Sequence, residues 1–137
     1  MSTTNAARTA LFRSLHNSTG PLALSNAWDV ASALIAEAAG APAVATTSAG
    51  VAWTLGRADG DKLDRASAVA AVARIAAAVS VPVTADIEGG FGATTEEVVQ
   101  TVLEVINAGA VGINIEDGSL APEEFAARLS AVRSAVT

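Results

Sequence analysis

Asp86 and Glu88 are two carboxylates spaced two residues apart at the end of an apolar run, with glycines following at 89, 90 and 92. In a strand, residues i and i+2 point to the same face, so the two acids converge on one small volume. Glycines let a backbone come close to a ligand. A hard cation such as Mg²⁺ is held by one or two carboxylates together with waters and substrate oxygens. The segment Thr84-Ala85-Asp86-Ile87-Glu88-Gly89-Gly90-Phe91-Gly92 is therefore the leading candidate for chemistry. The plain alternative is a pair of strand-end carboxylates that cap the next turn.

Three other stretches offer polar groups. Thr46-Thr47-Ser48-Ala49-Gly50 combines hydroxyls with backbone N–H groups at a strand end. Such a site can hold a carboxylate or a phosphoryl group, although an ordinary loop entry looks the same. Glu116-Asp117 closes another apolar run, either as site acids or as solvated turn residues. Asp59 is a Gly-flanked acid in Leu55-Gly56-Arg57-Ala58-Asp59-Gly60, equally readable as a polar turn. His16 is the only histidine and lies in a helix, which argues against a His-based triad or a His-rich zinc site. No P-loop, GxGxxG, Ser-His-Asp arrangement or HExxH is present. Trp28 and Trp53 flank the first two strand ends, where Trp53 could wall a site or belong to the core.

The elements that must position these groups alternate. Residues 5–16 predict a helix, with Leu11, Phe12 and Leu15 on one side, and Asn17 to Pro21 a turn. Leu22 to Leu24 predicts a first strand. Asp29 caps a helix over 30–39, stopped by Gly40. Residues 43–47 predict a second strand, followed by a polar loop from Ser48 to about Asp61. Val69, Val72, Ala76 and Val79 mark a helix over 64–79. Val81 to Ile87 predicts a third strand, with Pro82 tolerated near its start. Thr94 and Glu97 form a capping box for a helix ending near Ala108. Ala110 to Ile115 predicts a fourth strand, and Pro122 opens a last helix.

One helix followed by four strand–helix units implies a parallel sheet. Ala39-Gly40-Ala41 and Ala108-Gly109-Ala110 repeat the same helix stop before a buried strand. Val83, Ala85 and Ile87 share one strand face, and Thr84, Asp86 and Glu88 share the other. In the fourth strand Val111, Ile113 and Ile115 oppose Gly112, Asn114 and Glu116. A barrel turns the apolar face to its helices and gathers Asp86, Glu88 and Glu116 at the C-terminal rim. An open doubly wound sheet covers both faces and accommodates these acids poorly.

At 137 residues the length suits one domain with a real core. Half the chain is hydrophobic, mostly Ala and Val, and only 4% is aromatic, which suits close helix–strand layers. A net charge of −6 argues against nucleic acid or an anionic membrane surface as partner. It admits a small anionic substrate where a metal or local donors offset the field. The absence of cysteine removes disulfides and thiolate chemistry and suits a cytoplasmic setting. No signal-like core or membrane-length apolar run is visible.

From about Leu22 to Asp117 the chain resembles the isocitrate lyase / phosphoenolpyruvate mutase superfamily. Four segments carry the resemblance in the family's order: Ser25-Asn26-Ala27-Trp28-Asp29; Thr47-Ser48-Ala49-Gly50-Val51 with Leu55-Gly56 and Asp59; Asp86-Ile87-Glu88-Gly89-Gly90-Phe91-Gly92, like the family's D-x-D-x-G-Y-G; and Ile115-Glu116-Asp117. The resemblance implies a (β/α)₈ barrel of the TIM type and a Mg²⁺-dependent site, with Mn²⁺ as an alternative ion. It implies a lyase or phosphonomutase that cleaves or rearranges C–C or P–C bonds next to a carbonyl. The substrate would be a small 2-oxo acid or phosphonate, or its enolate. Asp86 would be the main metal ligand, with Glu88 and Glu116 holding the metal's waters. Thr47, Ser48, Ala49 and Gly50 would bind the substrate carboxylate or phosphoryl group. Asp59 and Glu116 would border the reacting centre.

Three departures qualify the resemblance. Glu88 stands where the family has Asp, and Arg57-Ala58-Asp59 replaces an aromatic-Pro-Asp pattern. Asp117 is followed almost at once by Pro122, leaving no gating loop with the lyases' Lys-x-Cys-Gly-His signature. That argues against isocitrate or methylisocitrate lyase activity and leaves the mutase, hydrolase and decarboxylase-like branches.

A full barrel usually needs about 250 residues, so this sequence encodes about four βα units after a short N-terminal helix, a single partial barrel domain. The expectation is a half-barrel with two open edges, either a fragment or a chain whose second copy completes the barrel. The isolated chain is then expected to bind Mg²⁺ weakly and to turn over little. A non-catalytic half-barrel scaffold is the alternative.

Overall fold

The helix starts form where the side chains for them stand. The computed structural model describes residues 3–60 and 62–136. In chain order the elements are α1 (Thr3–Leu15), β1 (Ser25–Ala27), α2 (Val30–Ala38), β2 (Val44–Thr46), α3 (Ser48–Thr54), α4 (Arg65–Ala78), β3 (Val83–Asp86), α5 (Thr95–Asn107), β4 (Gly112–Asn114) and α6 (Pro122–Ala135). Asp29 caps α2 by accepting the Ser32 N–H at 2.7 Å, while the Ser32 hydroxyl oxygen accepts the Asp29 N–H at 3.1 Å. Asp64 caps α4 through the Ser67 N–H at 2.9 Å. At α5 the Glu97 N–H reaches Thr94 Oγ1 at 3.3 Å, and the Thr94 N–H reaches Glu97 Oε2 at 3.0 Å. Each cap satisfies N–H groups that the helix itself leaves orphaned.

The four strands are parallel and lie in the order β1-β2-β3-β4. β1 and β4 are therefore open edges. One face of the sheet is covered by helices. Val83, Ala85 and Ile87 are essentially fully buried there, packed with residues of α4 and α5 such as Ile75, Val98 and Val102. Each fully buried Val or Ile side chain contributes about 1.5–3 kcal/mol. β3 runs through Val83–Asp86, and Thr84 on its other face is buried as well.

Two expectations are corrected. Leu22 to Leu24 is not strand; β1 begins at Ser25, where the ladder to Val44 begins. Apolar residues report burial, and Leu22 and Leu24 are half-buried without being paired. The loop expected from Ser48 onward begins with α3, which buries Val51 and Ala52. Val51 packs with Leu63, Ala68 and Ala71. A seven-residue helix is too short to display a 3.6-residue period, so the sequence pattern missed it.

α1 and α2 secure the turn that feeds β3. The C-terminal end of α4 has no basic residue of its own in its last turn. Arg8 of α1 supplies one, donating to the carbonyls of Ala76 at 3.1 Å, Ser80 at 3.0 Å and Val79. A cation there satisfies orphan carbonyls and complements the helix dipole. From α2 the Glu37 carboxylate accepts the N–H groups of Ser80 at 2.8 Å and Val81 at 3.2 Å, as well as the Ser80 hydroxyl. Phe12 of α1 closes against the other sheet face. A Cβ at Gly112 would stand 2.7 Å from Phe12 Cε1 and 2.9 Å from Thr84 Oγ1. Glycine at 112 is what lets Phe12 approach β4.

Two predictions come from this floor. Gly112→Ala overpacks the contact and lowers stability by about 1–3 kcal/mol in urea unfolding. Adding Phe12→Leu is expected to recover part of that loss, and a double mutant with strictly additive losses would show that the two residues are not in contact. The hydrogen bonds from Ser80 and Val81 hold the Glu37 carboxyl below its ordinary value of 4.5. A lowered folded-state value stabilises above the unfolded value and is lost as pH falls through the folded one. The melting-temperature gap between the parent and Glu37→Gln should be present at pH 7 and shrink as the pH falls below the ordinary value of 4.5; a gap independent of pH would contradict the carboxylate's role.

Candidate metal and substrate site

β3 delivers Asp86 to the C-terminal edge of the sheet, half-buried. Its carboxylate is held on both oxygens. Oδ2 accepts the Ser48 N–H at 2.9 Å from the first turn of α3, and Oδ1 accepts the Glu88 N–H at 3.2 Å. The Asp86 N–H in turn reaches Thr46 Oγ1 at 2.9 Å across to β2. Three contacts thus orient one carboxylate. Each carboxylate oxygen can accept about two hydrogen bonds or ligand bonds, so both keep capacity for a cation or its waters.

Thr46 stands in the hydroxyl-rich run expected at the end of the second strand, but its link to Asp86 was missed from sequence. It is 3% exposed and braces the Asp86 backbone. The signal was a hydroxyl at the last position of β2, but only the folded sheet brings it within hydrogen-bond distance of the Asp86 N–H.

The ladder between β3 and β4 continues past the strand ends. The Ile87 N–H reaches the Asn114 carbonyl at 3.1 Å, and the Glu116 N–H reaches the Glu88 carbonyl at 2.8 Å. Asp86 pairs with Asn114 in the register. Glu116 therefore lies beside Glu88, as the shared strand phase predicts. The two side chains part company after that. Glu88 takes a left-handed backbone, φ +50°, and is only 3% exposed. Phe91 is left-handed as well, at φ +50°. Non-glycine residues rarely adopt this region, and two so close mark a tightly determined turn. Glu116 stands exposed.

A small cavity of about 10 Å³ is lined by Thr46, Ser48, Asp86, Glu88, Phe91 and neighbouring apolar side chains. That is room for about one water. It brings Asp86, Glu88 and Ser48 together. Thr47, Ala49 and Gly50 lie in or beside the first turn of α3 but do not line it, and Glu116 and the exposed Asp59 do not line it either. Among the described residues no three acids or histidines gather closely enough to enclose a metal. Such a donor set does not make an all-protein cage. It fits a Mg²⁺ held by one or two carboxylates with waters completing the shell. Gly50 packs on Trp28, since a Cβ there would stand 2.8 Å from Trp28 Cβ. Trp28 and Trp53 are both exposed, so neither belongs to the core.

Comparisons with known proteins show the family. The family model described as phosphoenolpyruvate phosphomutase matches residues 12–137. A candidate phosphonomutase from Burkholderia cenocepacia J2315 is 44% identical and superimposes with a TM-score of 0.89, over 93% of this chain and 55% of that one. The 2-methylisocitrate lyase of Escherichia coli K12 is 33% identical over 107 residues, 77% of this chain and 36% of its own length. A phosphonopyruvate hydrolase solved in complex with oxalate and Mg²⁺ superimposes with a TM-score of 0.88 at 25% identity, over 95% of this chain and 48% of that one. The chain spans about half the length of the first curated relatives it matches. The four parallel strands and six helices of the described residues correspond to half of a TIM-barrel-type architecture. Family match and sheet architecture converge: the chain belongs to the phosphoenolpyruvate phosphomutase family of the PEP mutase/isocitrate lyase superfamily and corresponds to the N-terminal half of its structural relatives.

Proposed function

We propose that this chain carries the metal-binding wall of a Mg²⁺-dependent enzyme acting on small 2-oxo acids, phosphonates or their enolates, at C–C or P–C bonds. The observation that carries the reading is Asp86, a rim carboxylate fixed through both oxygens and through its own N–H. A ligand held this way needs little reorganisation to accept a cation. Mg²⁺, or Mn²⁺ in its place, would supply Lewis-acid polarisation of the carbonyl next to the bond that breaks. Asp86 would be the principal ligand, with Glu88 and Glu116 hydrogen-bonding the waters. The longer Glu arm suits a water-mediated contact. Thr47, Ser48, Ala49 and Gly50 would receive the substrate carboxylate or phosphoryl group at the start of α3. Because the Ser48 N–H is already engaged by Asp86, the substrate would meet the Ser48 hydroxyl and the neighbouring N–H groups. Asp59 and Glu116 would border the reacting centre as its catalytic acids.

The phosphonopyruvate hydrolase solved with oxalate and Mg²⁺ supports both the ion and the class of anionic substrate. The lyase and phosphonomutase relatives support the reaction type. A cytoplasmic setting remains part of the proposal; among the described residues no helix is long and apolar enough to cross a membrane. One observation favours the second reading, a non-catalytic half-barrel. Among the described residues no three acids or histidines gather closely enough to enclose a metal.

Isothermal titration separates these readings. The chain is expected to bind Mg²⁺ weakly, with oxalate strengthening the binding. Asp86→Asn is expected to weaken Mg²⁺ at least tenfold while melting within a few degrees of the parent, and Asp59→Asn to leave Mg²⁺ affinity unchanged. No Mg²⁺ heat in the parent would leave the scaffold standing and sink the metal reading. Rapid turnover of a 2-oxo acid by this chain alone would show instead that one wall suffices.

A further inference from the structure

We infer that Arg128 of α6 is a positioning residue for the acids at the strand ends: its guanidinium spans the mouth of the turn after β3 and holds Glu88 in its buried, left-handed pose. The effect on metal binding rests on the proposed function; the hold on the turn does not.

The turn from Glu88 to Ala93 leaves the strand with two unfavourable torsions, at Glu88 and Phe91. Such torsions persist only where the surroundings over-determine them. The turn's glycines press on α5. A Cβ at Gly90 would stand 2.6 Å from Val98 Cγ1, and one at Gly92 would stand 2.6 Å from Glu97 Cβ. Phe91 packs against the cluster that holds Val51 and Leu63. The N–H groups of the turn are held as well. Gly90 donates to the Ile87 carbonyl at 2.8 Å, and Ala93 donates to Glu97 Oε2 at 2.7 Å.

Arg128 holds the carbonyls. Its Nη1 donates to the Gly89 carbonyl at 3.5 Å and its Nη2 to the Ala93 carbonyl at 3.4 Å. These carbonyls stand at the two ends of the turn, and the rigid fork of a guanidinium reaches both at once. Each contact is long for a charged donor, so the restraint lies in the pair and not in either bond. Its loss is expected to open the turn without unfolding the domain.

α6 places the fork. Arg128 lies one helical turn before Val132, which is buried with Ile87, Val98 and Val102. Residues i and i+4 share a helix face, so the packing of α6 on α5 aims the half-buried Arg128 at the turn. Ala93 is thereby gripped on both sides of its backbone, by Glu97 from α5 and by Arg128 from α6. The effect reaches the site through Glu88. Gly89, whose carbonyl Arg128 holds, follows Glu88 directly, and the Glu88 N–H donates to Asp86 Oδ1 at 3.2 Å. Freeing Gly89 lets Glu88 relax out of the left-handed region. That moves Glu88 from the cavity it lines and slackens one of the contacts that orient Asp86.

Amide hydrogen exchange on the metal-free 137-residue chain tests the hold. Arg128→Met keeps an apolar stem and removes both donors. It is expected to speed exchange at the Gly90 and Ala93 amides by about tenfold or more, while the Ala85 and Val102 amides keep the parent's rates. Arg128→Lys, which retains the charge without the fork, is expected to fall between the two and stands in if Arg128→Met does not fold. Unchanged rates at Gly90 and Ala93 overturn the inference. An equal rise at all four amides overturns it too, since Arg128 would then be a general support of α6. Isothermal titration reads the consequence: Mg²⁺ affinity is expected to fall by about threefold or more in Arg128→Met, and by less in Arg128→Lys. A turn that opens while Mg²⁺ binds as in the parent overturns the positioning role. A parent without Mg²⁺ heat sinks the metal reading instead, and the exchange rates still decide whether Arg128 holds the turn.

Discussion

The hydrogen-bond ladder between β3 and β4 is the constraint on which the rest of the molecule depends. It runs from Val111 N–H on the Val83 carbonyl to Glu116 N–H on the Glu88 carbonyl. Because side chains alternate, a slip of one residue would turn Asp86 toward α4 and α5 and expose Ala85 and Ile87. The register is therefore enforced by the core, where Ile87, Val98, Val102 and Val105 are buried together. Site and core are two faces of one ladder. The acids stand where they do because the apolar residues between them have nowhere else to go.

The floor of the half-barrel secures the other end of the same strand. Arg8 and Glu37 grip the turn between α4 and β3 from opposite charges, one on its carbonyls and one on its N–H groups. Phe12 closes on Gly112 and Thr84 near the start of the ladder. β3 is thus fixed at its entry by side chains and at its exit by Thr46 and Ser48 on Asp86. Such double anchorage lets a four-residue strand present a carboxylate in one orientation. The outer strands lack it. β1 and β4 each have a single neighbour, and Ser25, Asn26 and Asn114 are exposed.

Much of the fold was legible because its signals are local. Asp29, Thr94 and Pro122 start helices by chemistry that needs only the next three residues. The apolar alternation in Val83, Ala85 and Ile87 predicted both a strand and its buried face. Elements without local periodicity were not legible. α3 is seven residues long, and β1 consists of Ser25, Asn26 and Ala27, of which only the alanine is buried. Leu22 and Leu24 drew the strand assignment toward themselves because apolarity signals contact with something, not pairing with a strand.

The acids show where sequence ends and tertiary structure begins. The residue types and spacing of Asp86, Glu88 and Glu116 were determined by the sequence alone, together with the phase they would share if both strands ran on to them. Spacing fixes phase, and phase fixes face. Tertiary structure decided what each carboxylate does on that face. It locked Asp86 with N–H groups from α3 and the following turn, buried Glu88 through a left-handed backbone at the start of that turn, and left Glu116 in solvent. Those differences depend on contacts between residues about 40 positions apart, and on one backbone torsion that leaves the strand. Neither is encoded in alternation, so neither could be read before the chain was folded.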